Sequence, residues 1–248
     1  MERMRIAALS DVHGNLLALD AVLADIASQR VDITVNLGDL LSGGLQPAET
    51  ADRLMGSALP TVRGNHERQL LTMPSEQMSR SDRLAHATLR PEHTRWLRSL
   101  PATLAVADGV LAFHGSPTDD LEYLLETVEK TGARPATQRE VLARLNDHTA
   151  WALLLCGHTH LQRAVRLPSG TLVVNAGSVG WPAYQDDVPY PHVMAAGTPH
   201  ARYAIVDDSA GRWGVTFRAV QYPWEHAARI AETNDRPDVA RALRTGQV

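Results

Sequence analysis

The sequence predicts an α/β fold, and three observations lead there. Strand-like apolar runs alternate with amphipathic helical stretches over the first 62 residues, the pattern of a sheet with crossover helices. From residue 103 onward the strand-like runs come in pairs around turn residues, which adds antiparallel pairing. Five short polar segments, Asp11-Val12-His13, Gly38-Asp39, Gly64-Asn65-His66-Glu67, His114 and Gly157-His158-Thr159-His160, each follow an apolar run directly. Sites in open α/β sheets form where strands end.

Ile6 to Leu9 reads as the first strand. After the first polar segment, Leu16, Leu17, Leu19, Val22, Leu23 and Ile26 recur at helical spacing as far as Ala27. A second unit repeats this order, with a strand from Asp32 to Leu37, a turn at Gly43-Gly44 and a helix from Pro47 to Met55. Pro47 suits a first-turn position. Leu59 to Val62 reads as a third short strand, and Glu67 to Leu100 as mostly helical with breaks at Pro74 and Pro91. Trp96, Leu97 and Leu100 share one helix face, a stripe expected in the core.

Thr103 to Ala107 and Val110 to Phe113 flank Asp108-Gly109, a dipeptide favoured in two-residue hairpin turns. Leu121 to Glu129 and Gln138 to Leu145 read as helical, followed by a strand from Trp151 to Cys156. Arg163 to Leu167 and Thr171 to Asn175 form a hairpin around Pro168-Ser169-Gly170, and Arg202 to Val206 pairs with Trp213 to Val220. Two short helices close the chain, Trp224 to Glu232 and Val239 to Leu243, the last expected to fray. The stretch from Trp181 to His200 holds four prolines and little periodicity. It reads either as a substrate-contacting loop or as a proline-stiffened surface excursion.

At 248 residues the chain is near the upper size for one core. One domain over 1–248 is therefore expected, with helical excursions near 67–100 and 118–148 and the proline-rich loop at 181–200. The formal charge of −4 gives no general attraction to a polyanion or an anionic membrane, so nucleic acid is not a favoured partner. The single cysteine, Cys156, excludes an intramolecular disulfide and, after Ala152-Leu153-Leu154-Leu155, reads as a buried strand residue. Ile6-Ala7-Ala8-Leu9 is too short for a signal-peptide core, and no run approaches the roughly 20 apolar residues of a membrane helix. The cytoplasm is the expected location.

The polar segments together offer two carboxylates (Asp11, Asp39), one amide oxygen (Asn65) and four imidazoles (His13, His114, His158, His160). That exceeds what one zinc ion takes from protein. If Asp39 bridges, each of two metals receives four protein ligands, with room for a shared water or hydroxide. Nitrogen and oxygen donors without thiolate suit two divalent transition ions, manganese, iron or zinc, better than calcium or magnesium. Two such ions bring four positive charges against two ligand carboxylates, so the loaded site is cationic and suits a small phosphorylated substrate. Two ions about 3.5 to 4 Å apart can clamp the attacking and leaving oxygens of an in-line displacement. His66, beside Asn65 and not needed for coordination, is placed to protonate the leaving oxygen. His86, His93, His148, His192, His200 and His226 read as surface or capping residues.

These residues resemble, in order and across most of the chain, the motifs of the calcineurin-like metallophosphoesterase superfamily. The resemblance implies a four-layer α/β/β/α sandwich with mixed β-sheets. It also implies that Asp11, His13, Asp39 and His160 bind one metal and Asp39, Asn65, His114 and His158 the other, with His66 as leaving-group acid. Ser10-Asp11-Val12-His13-Gly14-Asn15 and Asn175-Ala176-Gly177-Ser178-Val179-Gly180 look most like the small prokaryotic phosphodiesterase branch. In the protein serine/threonine phosphatases the second motif continues with an aspartate and an arginine, whereas Gly38-Asp39-Leu40-Leu41-Ser42-Gly43-Gly44 has neither. Phosphoprotein is accordingly not the expected substrate.

The function expected from the residues is hydrolysis of a small phosphodiester, nucleotide or phosphomonoester by metal-bound hydroxide. A non-catalytic interaction module on the same fold is the alternative of another class, favoured by lost ligands, and none is lost here. A nuclease needs a basic groove beside the metals, and the sequence has no concentrated basic run.

Overall fold

A computed structural model describes residues 4–248. Along the chain run β1 (Arg5–Leu9), α1 (Leu16–Ala27), β2 (Ile33–Asn36), α2 (Pro47–Ser57), α3 (Asn65–Thr72), α4 (Arg80–Thr88), α5 (Pro91–Ser99), β3 (Thr103–Ala107), β4 (Val110–Phe113), β5 (Glu126–Glu129) and β6 (Gly132–Pro135). There follow α6 (Gln138–Leu145), β7 (Leu153–Cys156), β8 (Arg163–Arg166), β9 (Leu172–Asn175), β10 (Ala183–Asp186), β11 (His192–Ala195), β12 (Ala201–Asp207), β13 (Gly214–Val220), α7 (Trp224–Thr233) and α8 (Pro237–Thr245).

Side chains alternate across a strand, and β1 uses both of its faces. Ile6 and Ala8 point into a core shared with Val35 of β2, Val110 and Ala112 of β4, and Leu153 and Leu155 of β7. Ala7 and Leu9 point the other way, into a core with residues of α1, α2, α7 and α8. The first sheet has the order β13-β12-β1-β2, β1 running parallel to β2 and antiparallel to β12. The second has the order β3-β4-β7-β9-β8, with β4, β7 and β9 parallel. Its outer face buries Leu111, Phe113, Leu154 and Val173 against Val141 and Leu145 of α6. Helices, two stacked mixed sheets and a further helix give the four layers that the motif resemblance implies. Strands covered on both faces read as short continuous apolar runs, which is why β4 and β7 are buried throughout.

Local signals set several boundaries. The Asn15 side chain accepts the Ala18 N–H at the start of α1, Ser79 does the same for Asp82 in α4, and Thr137 and Glu140 cap α6 reciprocally. Proline occupies the first turn of α2, α5 and α8.

Four expectations need correction. Leu121 to Glu129 is not helical: Glu126-Thr127-Val128-Glu129 is strand β5, paired antiparallel with β6. Its β-branched residues favour extended chain, Gly132 supplies a φ of +115° at the turn, and Leu124 and Leu125 bury against α6 from a loop. The 118–148 excursion is therefore helical only at α6. Leu59 to Val62 contributes one bridge, between Thr61 and Asn36, because Pro60 has no N–H to extend the ladder. The 181–200 stretch contains the β10–β11 hairpin, in which His192 and Met194 alternate inward. Nor does the last helix fray, since Val239, Ala240, Ala242 and Leu243 are buried and α8 packs along α7.

Candidate metal centre

The carboxyl ends of β1 and β2 lead into loops that zip together through the backbone. The N–H groups of Asp11, His13 and Gly14 donate to the carbonyls of Gly38, Asp39 and Leu40 at 2.9 to 3.0 Å. From the second sheet, the Gly157 N–H donates to His114 O at 2.8 Å. The loop after β9 lies against the first one, Val179 and Gly180 donating to Ser10 O and Asp11 O. These contacts bring every predicted ligand position to one place.

The backbone there is strained. Asp11, His13, Asp39, His158 and His160 all have left-handed φ, between 51° and 70°. Side chains rarely tolerate that region, at a cost of about 1–3 kcal/mol each, and such strain collects at functional sites. Gly38, at φ +98°, also passes so close to Gly64 that a Cβ would collide with its backbone.

Three groups of donors each fall within 4.8 Å: Asp11, His13 and His160; Asp39, His114 and His158; and His13, Asp39 and His66. The outward ring nitrogens are held by carbonyl oxygens. Nδ1 of His13, His114 and His160 lies 2.6, 2.8 and 2.6 Å from the carbonyls of Ser42, Leu37 and Trp181. A ring donating at Nδ1 presents Nε2 as a lone pair. His158 is reversed, with Nε2 3.1 Å from Leu121 O, so it turns Nδ1 inward. His13 Nε2 and His160 Nε2 then stand 2.9 Å apart. Asp11 Oδ1, fully buried, has no hydrogen-bond partner and lies 3.3 Å from His160 Nε2.

Converging lone pairs and an orphaned carboxylate oxygen are what a cation satisfies. Ligand atoms about 3 Å apart form an edge of a coordination shell with bonds of about 2.1 Å. Asn65 adds to this. Its Oδ1 faces inward, 3.2 Å from His114 Nε2, as a metal ligand must. Turned over, its NH2 would donate to His158 Nδ1 and Asp39 Oδ2 at 3.1 and 3.2 Å. The donor set fits divalent ions.

Protonation follows from burial and charge. Burial, then His160, push His13 down to about 3; burial, then His114, push His158 down to about 4. Both are neutral, as ligands must be. Burial opposes the charge on His114, but Asp39, 3.1 Å away, raises it to about 10. Burial opposes the charge on Asp39, but His114, His66 and His13 together hold its carboxyl well below the usual range.

His66 lines the cavity above these groups, with Nδ1 2.7 Å from Asp82 Oδ1. Burial opposes its charge, yet Asp39 and the Asp82 contact raise it to about 9. Asp82, on α4 and buried, escapes sequence reading: its spacing from His66 matches no motif, and only the fold of the 67–100 excursion joins them. Glu67, quoted within the third segment but given no role, accepts N–H groups from Asp39, Leu40 and Gly64 at 2.8 to 3.0 Å. It thereby clamps two ligand loops together. Trp181 and Tyr184, from the proline-rich stretch, pack against His13 and His160, and Tyr123 packs against His158. Of the histidines set aside, His93 is buried and caps α5 through its contact with the Arg90 N–H, and His192 sits under Tyr123.

Comparison with known proteins agrees with this geometry. A model of the calcineurin-like phosphoesterase superfamily domain matches residues 4–196. An uncharacterized protein of Methanocaldococcus jannaschii is 31% identical over 196 residues, covering 73% of this chain and 79% of that protein. The crystal structure of a metallophosphoesterase from Sphaerobacter thermophilus superposes with a TM-score of 0.73 at 26% identity, covering 98% of this chain and 99% of the other. A hypothetical protein from Pyrococcus horikoshii OT3 shares the fold with a TM-score of 0.75 at 19% identity, covering 98% of each chain.

Proposed function

The chain belongs to the calcineurin-like phosphoesterase superfamily, and from that premise we propose that it is a two-metal phosphoric ester hydrolase acting on a small phosphodiester, nucleotide or phosphomonoester. The observation that carries this reading is the pair of adjoining donor triads, Asp11-His13-His160 and Asp39-His114-His158, with Asp11 Oδ1 left unpartnered between them. Asp11, His13, Asp39 and His160 would hold one ion, and Asp39, Asn65, His114 and His158 the other. Manganese, iron and zinc suit this donor set. When bound, such ions supply Lewis acidity, neutralising charge on the phosphoryl oxygens and acidifying water.

The chain's own residues do the rest. Carbonyl oxygens of Ser42, Leu37, Trp181 and Leu121 lock the four imidazoles in the required tautomers. Glu67 holds the Asp39 and Gly64 loops at fixed separation. Asp82 takes Nδ1–H of His66 and leaves Nε2–H for the cavity. In hydrolysis a P–O bond to water forms, the ester P–O bond breaks, and the leaving oxygen takes a proton from His66 Nε2. Among the described residues no helix is long and apolar enough to cross a membrane.

The test is hydrolysis of aryl phosphate mono- and diesters by purified protein supplied in turn with manganese, zinc and ferrous iron, alongside metal analysis. Metal-dependent turnover is expected. Absence of both bound metal and turnover overturns the reading, and an unchanged His66→Ala rate on an alkyl ester removes the role of His66.

A further inference from the structure

The cavity over the donor cluster encloses about 1090 Å3. A water molecule's share of liquid volume is about 30 Å3, so a single phosphate occupies a small part of that space. The walls differ in charge. One is built from the first turns of three helices: His66 and Gln69 from α3, Ser79 to Ser81 at the start of α4, and Arg236 at the start of α8 with Arg241 further along it. The rest of the lining carries Glu122, Glu126 and Asp186, with Arg144 beside Glu126.

The starts of α3 and α4 are already capped, the Gly64 N–H by Glu67, the His66 N–H by Asp39 and the Asp82 N–H by Ser79, so what this wall offers an anion is its guanidinium groups. Arg236 is buried and occupied: it donates to Ser81 Oγ and Asp238 and lies 5.5 Å over the Trp181 ring. It fixes α8 to α4 and neutralises Asp238, the one carboxylate on this wall. Arg80 is engaged only by Asp235, which is 86% exposed, and exposed pairs of that kind contribute little. The Arg241 guanidinium has no hydrogen bond or ion pair among the described residues. Two cations without a buried partner thus line the same cavity as His66 and the donor cluster.

We infer that Arg80 and Arg241 form a second phosphate subsite, so that preferred substrates carry two or more phosphates. The inference rests on the phosphoesterase reading and deepens it. A monoester uses the metal-ligand floor alone. A phosphoanhydride or a bisphosphate also engages the wall, gaining affinity without a change in the reacting groups.

The experiment compares kcat/KM of the manganese-loaded protein for p-nitrophenyl phosphate, AMP, ADP and adenosine 3′,5′-bisphosphate, in wild type and in an Arg80→Ala/Arg241→Ala double variant. Wild type should prefer at least one two-phosphate nucleotide over AMP by tenfold or more. The double variant should lose most of that preference through KM, while p-nitrophenyl phosphate turnover stays within twofold. ADP and the bisphosphate tell adjacent from separated phosphates. No preference in wild type, or a preference that survives in the variant, overturns the subsite while leaving the phosphoesterase reading intact. A parallel loss on the aryl ester also overturns it, because the arginines would then act on the reaction in general. Hydrolysis of none of the four, nor of bis(p-nitrophenyl) phosphate under the same conditions, removes both.

Discussion

Replacing Asp82 with asparagine separates the proton-donating role of His66 from the rest of the site. Asp82 Oδ1 lies 2.7 Å from His66 Nδ1 and its other oxygen accepts the Ser79 hydroxyl at 2.6 Å. Asparagine keeps the size and removes the charge. A hydrogen bond to a charged group is worth about 1.5–3 kcal/mol against about 0.5–1.5 for a neutral one, so the loss is about 1–1.5 kcal/mol. At 1.36 kcal/mol per pKa unit, His66 falls by about one unit. In the metal-free protein Asp39 and Asp82 outweigh the burial that would lower it and raise His66 to about 9; bound ions that take up the Asp39 charge lower it from there. The acid form is the protonated ring, so activity on esters with poor leaving groups is present below that lowered value and is lost as pH rises through it. In Asp82→Asn this alkaline limb should move down by about one unit, giving roughly a fivefold to tenfold loss at and above the wild-type limb and little loss about two units below it. Esters of p-nitrophenol, whose leaving group needs no proton, should keep their profile. The assay is kcat/KM from pH 6 to 10 on an alkyl and an aryl ester. Equal losses on both, or an unmoved limb, would refute the role of the pair.

Three further outcomes follow from the geometry. Gly64 has an ordinary φ of −92°, but a Cβ there would collide with Asp39 Oδ1; Gly64→Ala should fold, by circular dichroism, yet bind less metal by elemental analysis. Glu67→Gln places an amide NH2 among the N–H donors of Asp39, Leu40 and Gly64 and should cost about 1–3 kcal/mol in urea unfolding; a loss below about 0.5 kcal/mol would deny the clamp. Metal uptake should release protons, because burial fails to neutralise His114, which Asp39 raises to about 10, while its Nε2 must lose a proton to bind. Below pH 10 this group makes affinity rise about tenfold per pH unit, whereas His13 and His158, at about 3 and 4, add no dependence above pH 5. Calorimetry in buffers of different ionisation enthalpy counts the protons, and a count of zero at pH 7 contradicts the scheme.

How far the site is legible in the sequence depends on the range of the interaction that builds it. Asp11, Asp39, His114 and His158 each stand just past an apolar run, and a strand end is a local feature that also fixes where its side chain emerges. The four layers were implied by the motifs, and the two-faced burial of β1 accounts for them physically. Hidden were the groups recruited across the fold. Asp82 meets His66 only because α3 and α4 pack together, and the carbonyl of Trp181 reaches His160 only because the segment after β9 folds back along the Ser10 to His13 loop. The same cause explains the misread segments: Leu121, Leu124 and Leu125 have helical spacing, but burial of the last two against α6 holds them in a loop before β5. A backbone carbonyl has no residue type, so no motif can announce it. Four imidazoles oriented by four such carbonyls therefore mean that substitutions at Ser42, Leu37, Trp181 or Leu121 that spare the backbone should leave the ring tautomers intact, whereas a one-residue insertion beside any of them should not.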